Sequence, residues 1–110
     1  MANSSNKSLH DYLMLDVFQG IDGITSKRMF GGFGFYRSGK IFGIIAEGKL
    51  YFKTGDTNRH DFEKLGSKPF VFSSKRGSVT ISYYELPLEI MEDKEILEEW
   101  IEKALEVKKK

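Results

Sequence analysis

The stretch RMFGGFGFYRSGK, from Arg28 to Lys40, places four glycines among four aromatic residues and decides the fold. A phosphate-binding glycine loop joins a strand to the N-terminus of a helix, where free backbone N–H groups face the phosphates. Here aromatic residues occupy positions that would have to be small, and Phe33, Phe35 and Arg37 alternate with their neighbours as in a strand. The glycines therefore indicate backbone shape, and Gly31–Gly32 predicts a bulge or a bend.

Two tight turns follow this stretch and set the pairing of the next strands. Ser38–Gly39 is a two-residue hairpin signal, and Glu47–Gly48 is a second tight turn. Between them the segment KIFGIIA is apolar on both faces, which is typical of a central strand covered on both sides. Short turns of this kind favour antiparallel pairing of neighbouring strands.

The rest of the chain alternates helix signals with strand signals. The clearest helix lies near the end of the sequence, where six apolar residues form one stripe: Ile96, Leu97, Trp100, Ile101, Ala104 and Leu105. The predicted order is helix, three strands, helix, two strands, helix, over residues 8–20, 24–37, 40–46, 49–54, 56–66, 68–74, 78–86 and 93–110. This order predicts a single α+β domain over residues 1–110, with an antiparallel sheet of about five strands and helices packed on it. The polar residues 1–7 are expected to form a disordered end.

The composition excludes several classes of protein. The sequence has no cysteine, so disulfides, thiolate metal ligands and cysteine nucleophiles are absent. It has no apolar run of about eighteen residues and no signal-peptide pattern at its start, which predicts a cytoplasmic protein without a membrane segment. The formal net charge of +1 lacks the strong basic excess of many nucleic-acid-binding domains.

The titratable residues predict no catalytic site, no metal site and no cofactor. His10 and His60 are the only histidines, and neither has further ligands at the spacing that a zinc site needs, so both are expected on the surface. The glutamates of the last helix face away from its apolar stripe, and no serine lies in a nucleophile-elbow context. The sequence therefore favours a protein that is not an enzyme. An enzyme or a small-molecule-binding domain would need a deep pocket with a perturbed carboxylate or histidine.

Basic residues interleaved with aromatic residues leave nucleic-acid binding open as an alternative. Proteins that bind single strands combine a basic groove with stacking aromatic rings. Aromatic residues in strands are more often part of the core, which favours the other interpretation. Six basic residues lie on or beside the predicted strands: Lys27, Arg28, Arg37, Lys40, Lys49 and Lys53.

Two segments resemble a known family. The segment KRMFGGFGFYRSGKIFGIIAEGKLYFKT, at residues 27–54, is similar to the N-terminal domain of the TfoX/Sxy proteins, which are regulators of natural competence. The segments NRHDFEKLGSKPFVF and SYYELP continue the similarity in the same order. The resemblance extends from about Leu9 to Leu105, nearly the whole sequence.

The resemblance carries expectations about fold and function. It implies a small α+β domain of the secretion-chaperone-like type and a role in transcription regulation, in some bacteria together with a cyclic-AMP-responsive activator protein. Full-length members carry a second domain that resembles helix-hairpin-helix DNA-binding modules, and this sequence ends after the first domain. The expected function is thus a non-enzymatic regulatory or protein-interaction domain, with a transcription factor as the expected kind of partner.

A binding surface is predicted around the glycine bend. It comprises Lys27, Arg28, Met29, Gly31, Gly32 and Arg37. The planar guanidinium of Arg28 suits a partner's carboxylate or phosphate, but it would equally suit an internal acid such as Asp22 or Glu85. The sequence leaves both roles open. It also leaves open a homodimer formed through an exposed sheet edge, because such an edge carries unpaired backbone groups.

Overall fold

The computed structural model describes residues 4–29, 31–74 and 77–107 of the 110-residue chain. Within these residues the chain forms four α-helices and a six-stranded sheet. The elements are α1 (Ser4–Tyr12), a π-helical turn (Leu13–Val17), β1 (Ile24–Met29), β2 (Gly32–Arg37), β3 (Lys40–Ala46), β4 (Lys49–Lys53), α2 (Arg59–Lys64), β5 (Pro69–Ser74), β6 (Gly77–Glu85), α3 (Leu88–Met91) and α4 (Lys94–Leu105). The predicted α+β class is confirmed.

The additional strand comes from the glycine pair. Residues 24–37 were predicted as one long strand with a bulge or bend, but they form two antiparallel strands in which Met29 lies opposite Gly32. Gly31 has a φ of 80°, a conformation that glycine adopts without steric cost. The bend at the glycines is therefore a complete chain reversal, which raises the sheet from about five strands to six.

The other two predicted turns are confirmed. Ser38 and Gly39 have φ values of 52° and 82°, and Glu47 and Gly48 have values of 53° and 78°. Positive φ at both central positions is the geometry of a two-residue turn whose twist matches that of the strands it joins. These turns place β2, β3 and β4 side by side.

The sheet has the strand order β1-β2-β3-β4-β6-β5, and every neighbouring pair is antiparallel. The helices pack on one side of it, which we call the helix face; the other side is the open face. The register of β2 against β3 shifts by one residue. Phe35 lies opposite Gly43, whereas the next residue, Tyr36, lies opposite Ile41. The extra residue, Phe42, thereby turns toward the helix face and is fully buried.

The core lies between the helix face and α4. The ring centroid of Phe42 lies 5.4 Å from that of Phe52, and α4 contributes the buried residues Leu97, Ile101 and Ala104. Trp100 packs edge-on against Phe62 of α2, with ring centroids 4.6 Å apart. The apolar stripe predicted for the last helix is thus largely its core face; Ile96 departs from the pattern and is 37% exposed.

The first helix begins earlier than predicted. Residues 1–7 were expected to be disordered, but α1 begins at Ser4 and the side chain of Asn6 is only 3% exposed; residues 1–3 lie outside the described residues. The Asn6 amide donates to the carbonyl oxygen of Gly31 at 3.0 Å and accepts from the Gly48 N–H at 2.6 Å. One side chain at the start of α1 therefore ties together the turns of two hairpins.

None of the helices in the described part of the chain has the length and apolarity needed to cross a bilayer.

Candidate functional site

The predicted binding residues cluster at one border of the sheet. Strand β1 is an edge strand, since β2 is its only neighbour among the described strands of the sheet. It carries Lys27, Arg28 and Met29, and the turn that follows contains Gly31. We call β1 with its two exposed cations, Lys27 and Arg28, the basic edge.

The two cations of the basic edge lie on opposite faces of the sheet. Arg28 is paired with Phe33 on the helix face, and its guanidinium carbon lies 5.7 Å from the centroid of that ring. Lys27 is paired with Gly34 on the open face, and its Nζ lies 5.7 Å from the ring centroid of Tyr36. Cation–π contacts at exposed sites stabilise by about 0.5–1 kcal/mol. These contacts orient both cations and leave their charges uncompensated.

The internal ion pair considered for Arg28 does not form. Neither Asp22 nor Glu85 lies within ion-pair distance of it, and Glu85 is instead 3.9 Å from the Nζ of Lys49. Among the described residues, no carboxylate pairs with Lys27 or Arg28 either. The basic edge therefore presents two charges that the rest of the described chain does not neutralise.

The neighbouring residues shape the backbone of this region. A Cβ added at Gly32 would lie 2.0 Å from the carbonyl oxygen of Ile45, so β2 and β3 approach each other there as only glycine permits. A Cβ added at Gly34 would lie 2.6 Å from the sulfur of Met29 and 3.2 Å from the ring of Tyr36. Met29 and Tyr36 thus cover Gly34 on the open face. Through this contact Met29 packs β1 against β2.

Arg37 lies apart from the basic edge. It is at the far end of β2 from the turn, about 17 Å along the strand from Gly32. Its guanidinium faces α4, with nitrogen-to-oxygen distances of 3.5 Å to Glu98 and 3.8 Å to Glu102. The structure therefore brings together five of the six predicted site residues, and the sixth joins the sheet to a helix.

Sequence reasoning missed a hydrogen-bonded chain above β1. His10 was expected on the surface, but its side chain is 18% exposed and its ring stacks on Phe33 at 4.2 Å. Its Nε2 lies 2.8 Å from the Ser26 hydroxyl, and its Nδ1 lies 3.0 Å from a carboxylate oxygen of Asp11. These contacts anchor α1 to the helix-facing side of the basic edge. Since His10 and Ser26 are 16 residues apart in different elements, no local sequence pattern indicates their contact.

The carboxyl of Asp11 has a lowered pKa. A hydrogen bond from Lys7, followed by one involving His10, lowers the pKa of the Asp11 carboxyl below its ordinary value of 3.8. A carboxyl with a lowered pKa stabilises the fold above its unfolded-state pKa, and this contribution is lost as the pH falls through the lower native value. An NMR titration is expected to place the Asp11 midpoint below 3.8.

The variant Lys7→Met is expected to raise the Asp11 midpoint toward 3.8, because the first cause of the shift is removed. Lys64→Met, a change of the same charge on α2, serves as the matched control and is expected to leave the midpoint in place. An unchanged Asp11 midpoint in Lys7→Met would contradict this assignment.

Two of the broad grooves in the described part of the chain lie away from the basic edge. One opens beside Lys49, Tyr51 and Glu85, where burial, with Glu85 and Glu47 adding to it, raises the pKa of Tyr51. The other opens beside Arg37 and Tyr83, and burial raises the pKa of Tyr83 as well. A tyrosine with a raised pKa is a poor acid–base group near neutral pH. Within the three described ranges, no His, Asp and Glu side chains converge as a metal-binding group.

The protein is a small α+β domain whose antiparallel sheet has helices on one face and a basic edge strand. A family model described as the TfoX N-terminal domain matches residues 16–108. The chain belongs to the TfoX N-terminal domain family, as the resemblance at residues 27–54 predicted.

A relative with a related name is similar to part of the chain. The chain is 30% identical over 62 residues to a protein of Aliivibrio fischeri (strain ATCC 700601 / ES114) named DNA transformation protein TfoX1. The match covers 56% of this chain and 30% of that protein, so the chain spans less than a third of the relative's length.

Proposed function

We propose that this protein is a non-enzymatic regulatory domain that acts in the control of natural competence by binding a protein partner, a transcription factor. Membership of the TfoX N-terminal domain family supports the link to competence, as does the name of the relative, which is a DNA transformation protein. The mode of action is inferred from the surface of the domain.

The observation that carries the proposal is the basic edge. Lys27 and Arg28 are exposed on a strand that has only one neighbour, and neither pairs with a carboxylate of the described chain. By contrast, the exposed Lys49 on β4 lies 3.9 Å from a carboxylate oxygen of Glu85. Uncompensated charge at an open sheet edge is suited to recognition of an oppositely charged partner.

The arrangement of charges favours a protein partner over nucleic acid. The six basic residues considered for strand binding are divided between the two faces, because alternate residues of a strand point to opposite sides. Arg37 is further neutralised by Glu98 and Glu102. The basic residues therefore do not form the continuous groove with stacking rings that single-strand-binding proteins use. Retention of the domain on single-stranded DNA at about 50 mM salt would favour the alternative, since phosphate binding is strong under those conditions.

A transformation assay tests the proposed function. We expect deletion of the gene from the organism that encodes it to lower the frequency of natural transformation by at least about tenfold, and the wild-type gene to restore it. The double variant Lys27→Glu/Arg28→Glu is expected to fail to restore it, because two new acids would repel an acidic partner.

The double variant Lys64→Glu/Lys68→Glu is the matched control, because it makes the same change of charge at the end of α2 and in the loop that follows. It is expected to restore transformation. Unchanged transformation in the deletion strain would contradict the proposed role in competence.

A further inference from the structure

We propose that the outer side of β1 binds an extended acidic segment of the partner as an additional strand of the sheet. The inference rests on the proposed function and names the chemistry of the partner. It combines three observations: the pairing pattern of the β1–β2 hairpin, the uncovered edge, and the positions of Lys27 and Arg28.

The pairing pattern determines which backbone groups point outward. Two residues separate Met29 from Gly32, and in such hairpins the residues that flank the turn form a hydrogen-bonded pair. Hydrogen-bonded and non-hydrogen-bonded pairs alternate along an antiparallel ladder. The register therefore makes Arg28, Ser26 and Ile24 members of non-hydrogen-bonded pairs, whose N–H and C=O groups face away from β2.

No described element covers this row of backbone groups. The residues of α1 that contact the sheet lie above it, where His10 stacks on Phe33 and reaches the Ser26 side chain. The opposite border of the sheet differs, because β5 begins with Pro69, which has no N–H to donate. The outer side of β1 is thus suited to pair with an added strand through main-chain hydrogen bonds.

The charges specify what kind of strand would bind. Side chains of an added strand alternate between the two faces of the sheet. Lys27 and Arg28 are consecutive and lie on opposite faces, so two consecutive acidic residues in the partner would each meet one cation. The geometry points to an extended segment that contains an acidic pair. β-Branched residues around that pair would favour the extended backbone.

The same charges disfavour a second copy of this chain. Pairing β1 with β1 of another molecule would bring two lysines and two arginines together across a short six-residue strand. Like charges placed across neighbouring strands are destabilising, and charged edge residues are a known protection against self-pairing. An acidic segment of a different protein satisfies both the backbone groups and the cations.

The direct test uses a synthetic peptide of sequence TVTEEVTV and the isotope-labelled 110-residue protein. We expect binding to slow hydrogen exchange of the Ser26 and Arg28 amides, which face outward in the free domain. We expect the peptide TVTQQVTV to bind about tenfold more weakly at about 50 mM salt, because both charge pairs are lost. Lys27→Glu/Arg28→Glu should abolish binding of the acidic peptide, and Lys64→Glu/Lys68→Glu should not.

A second peptide separates strand addition from simple charge attraction. N-methylation of alternate backbone nitrogens in TVTEEVTV removes hydrogen-bond donors and leaves the charges unchanged. We expect this peptide to lose binding, and equal binding by it would overturn the proposal. Protection of the Ser26 and Arg28 amides in a homodimer without peptide would also overturn it, in favour of a second copy.

The outcomes also distinguish this inference from the proposed function. If Lys27→Glu/Arg28→Glu abolishes transformation but TVTEEVTV does not bind, strand addition is wrong and the regulatory role stands. If the peptide binds as described while the deletion strain transforms normally, strand addition stands and the link to competence is wrong.

Discussion

Replacing Gly32 with alanine is expected to lower the free energy of unfolding by about 3 kcal/mol, the upper part of the usual range for overpacking. The new Cβ would lie 2.0 Å from the Ile45 carbonyl oxygen and 3.2 Å from its carbonyl carbon. Both atoms belong to the backbone of the neighbouring strand, so no side chain can rotate away to relieve the overlap. Strands β2 and β3 would have to separate where Phe33 lies opposite Ile45.

The adjacent glycine provides a matched control for Gly32→Ala. A Cβ at Gly31 would meet nothing within 4 Å, but its φ of 80° disfavours alanine. Gly31→Ala is therefore expected to cost about 1 kcal/mol, and Gly31→Asn less, because asparagine tolerates left-handed backbone better. Urea unfolding measures both variants, and Gly32→Ala should also melt about 12 °C lower than wild type. A loss below that of Gly31→Ala would show that the close approach of the strands is not what requires glycine.

The glycines also explain which parts of the fold the sequence predicts. Ser38–Gly39 and Glu47–Gly48 each stand between two clear strand patterns, so only a reversal fits them, and both turns were predicted correctly. The pair Gly31–Gly32 stands inside a continuous aromatic pattern that is compatible with a bulge as well as with a turn. The α+β class and the approximate order of helices and strands along the chain could be predicted from local signals. The sixth strand depended on which of two permitted backbone paths packs better.

The candidate site was predictable only in part, for a related reason. The position of Lys27 and Arg28 beside the glycine bend is a local property, and the structure retains it. The orientation of the Arg37 guanidinium toward α4 depends on Glu98, a partner 61 residues away in the sequence. Similarly, strand alternation predicts that Lys27 and Arg28 point to opposite faces of the sheet. It does not predict which of the two faces the helices cover.

Support for the basic edge comes from a residue whose role the sequence did not indicate. Asn6 lies in a polar segment without apolar periodicity, which is why residues 1–7 were expected to be disordered. Its hydrogen bonds connect α1 to the turn that closes β1 and β2 and to the turn that closes β3 and β4. An edge strand that receives a partner strand needs a fixed position, and Asn6 supplies part of that constraint at the turn.

Asn6→Ala is accordingly expected to lower the free energy of unfolding by about 2 kcal/mol, since it leaves two backbone groups without their partner. The exposed Gly31 carbonyl can take up water, whereas the half-buried Gly48 N–H loses a bond of 2.6 Å. The Gly48 amide should therefore exchange with solvent faster than in wild type, by a factor larger than the global loss of stability explains. Ser8→Ala, an exposed change on the same helix, should alter the free energy of unfolding by no more than about 0.5 kcal/mol. It should not speed exchange of the Gly48 amide beyond what that change explains.

The exchange measurement separates a local constraint from a general loss of helix stability. If Asn6 fixes the hairpins, Asn6→Ala should speed exchange at Gly48 and weaken binding of the TVTEEVTV peptide, because β1 is then held less firmly at its turn. If Asn6 only stabilises α1, all amides should accelerate by the same factor and binding to the remaining folded protein should be unchanged. Uniform acceleration with unaltered binding would thus contradict the assignment of Asn6 as a support of the basic edge.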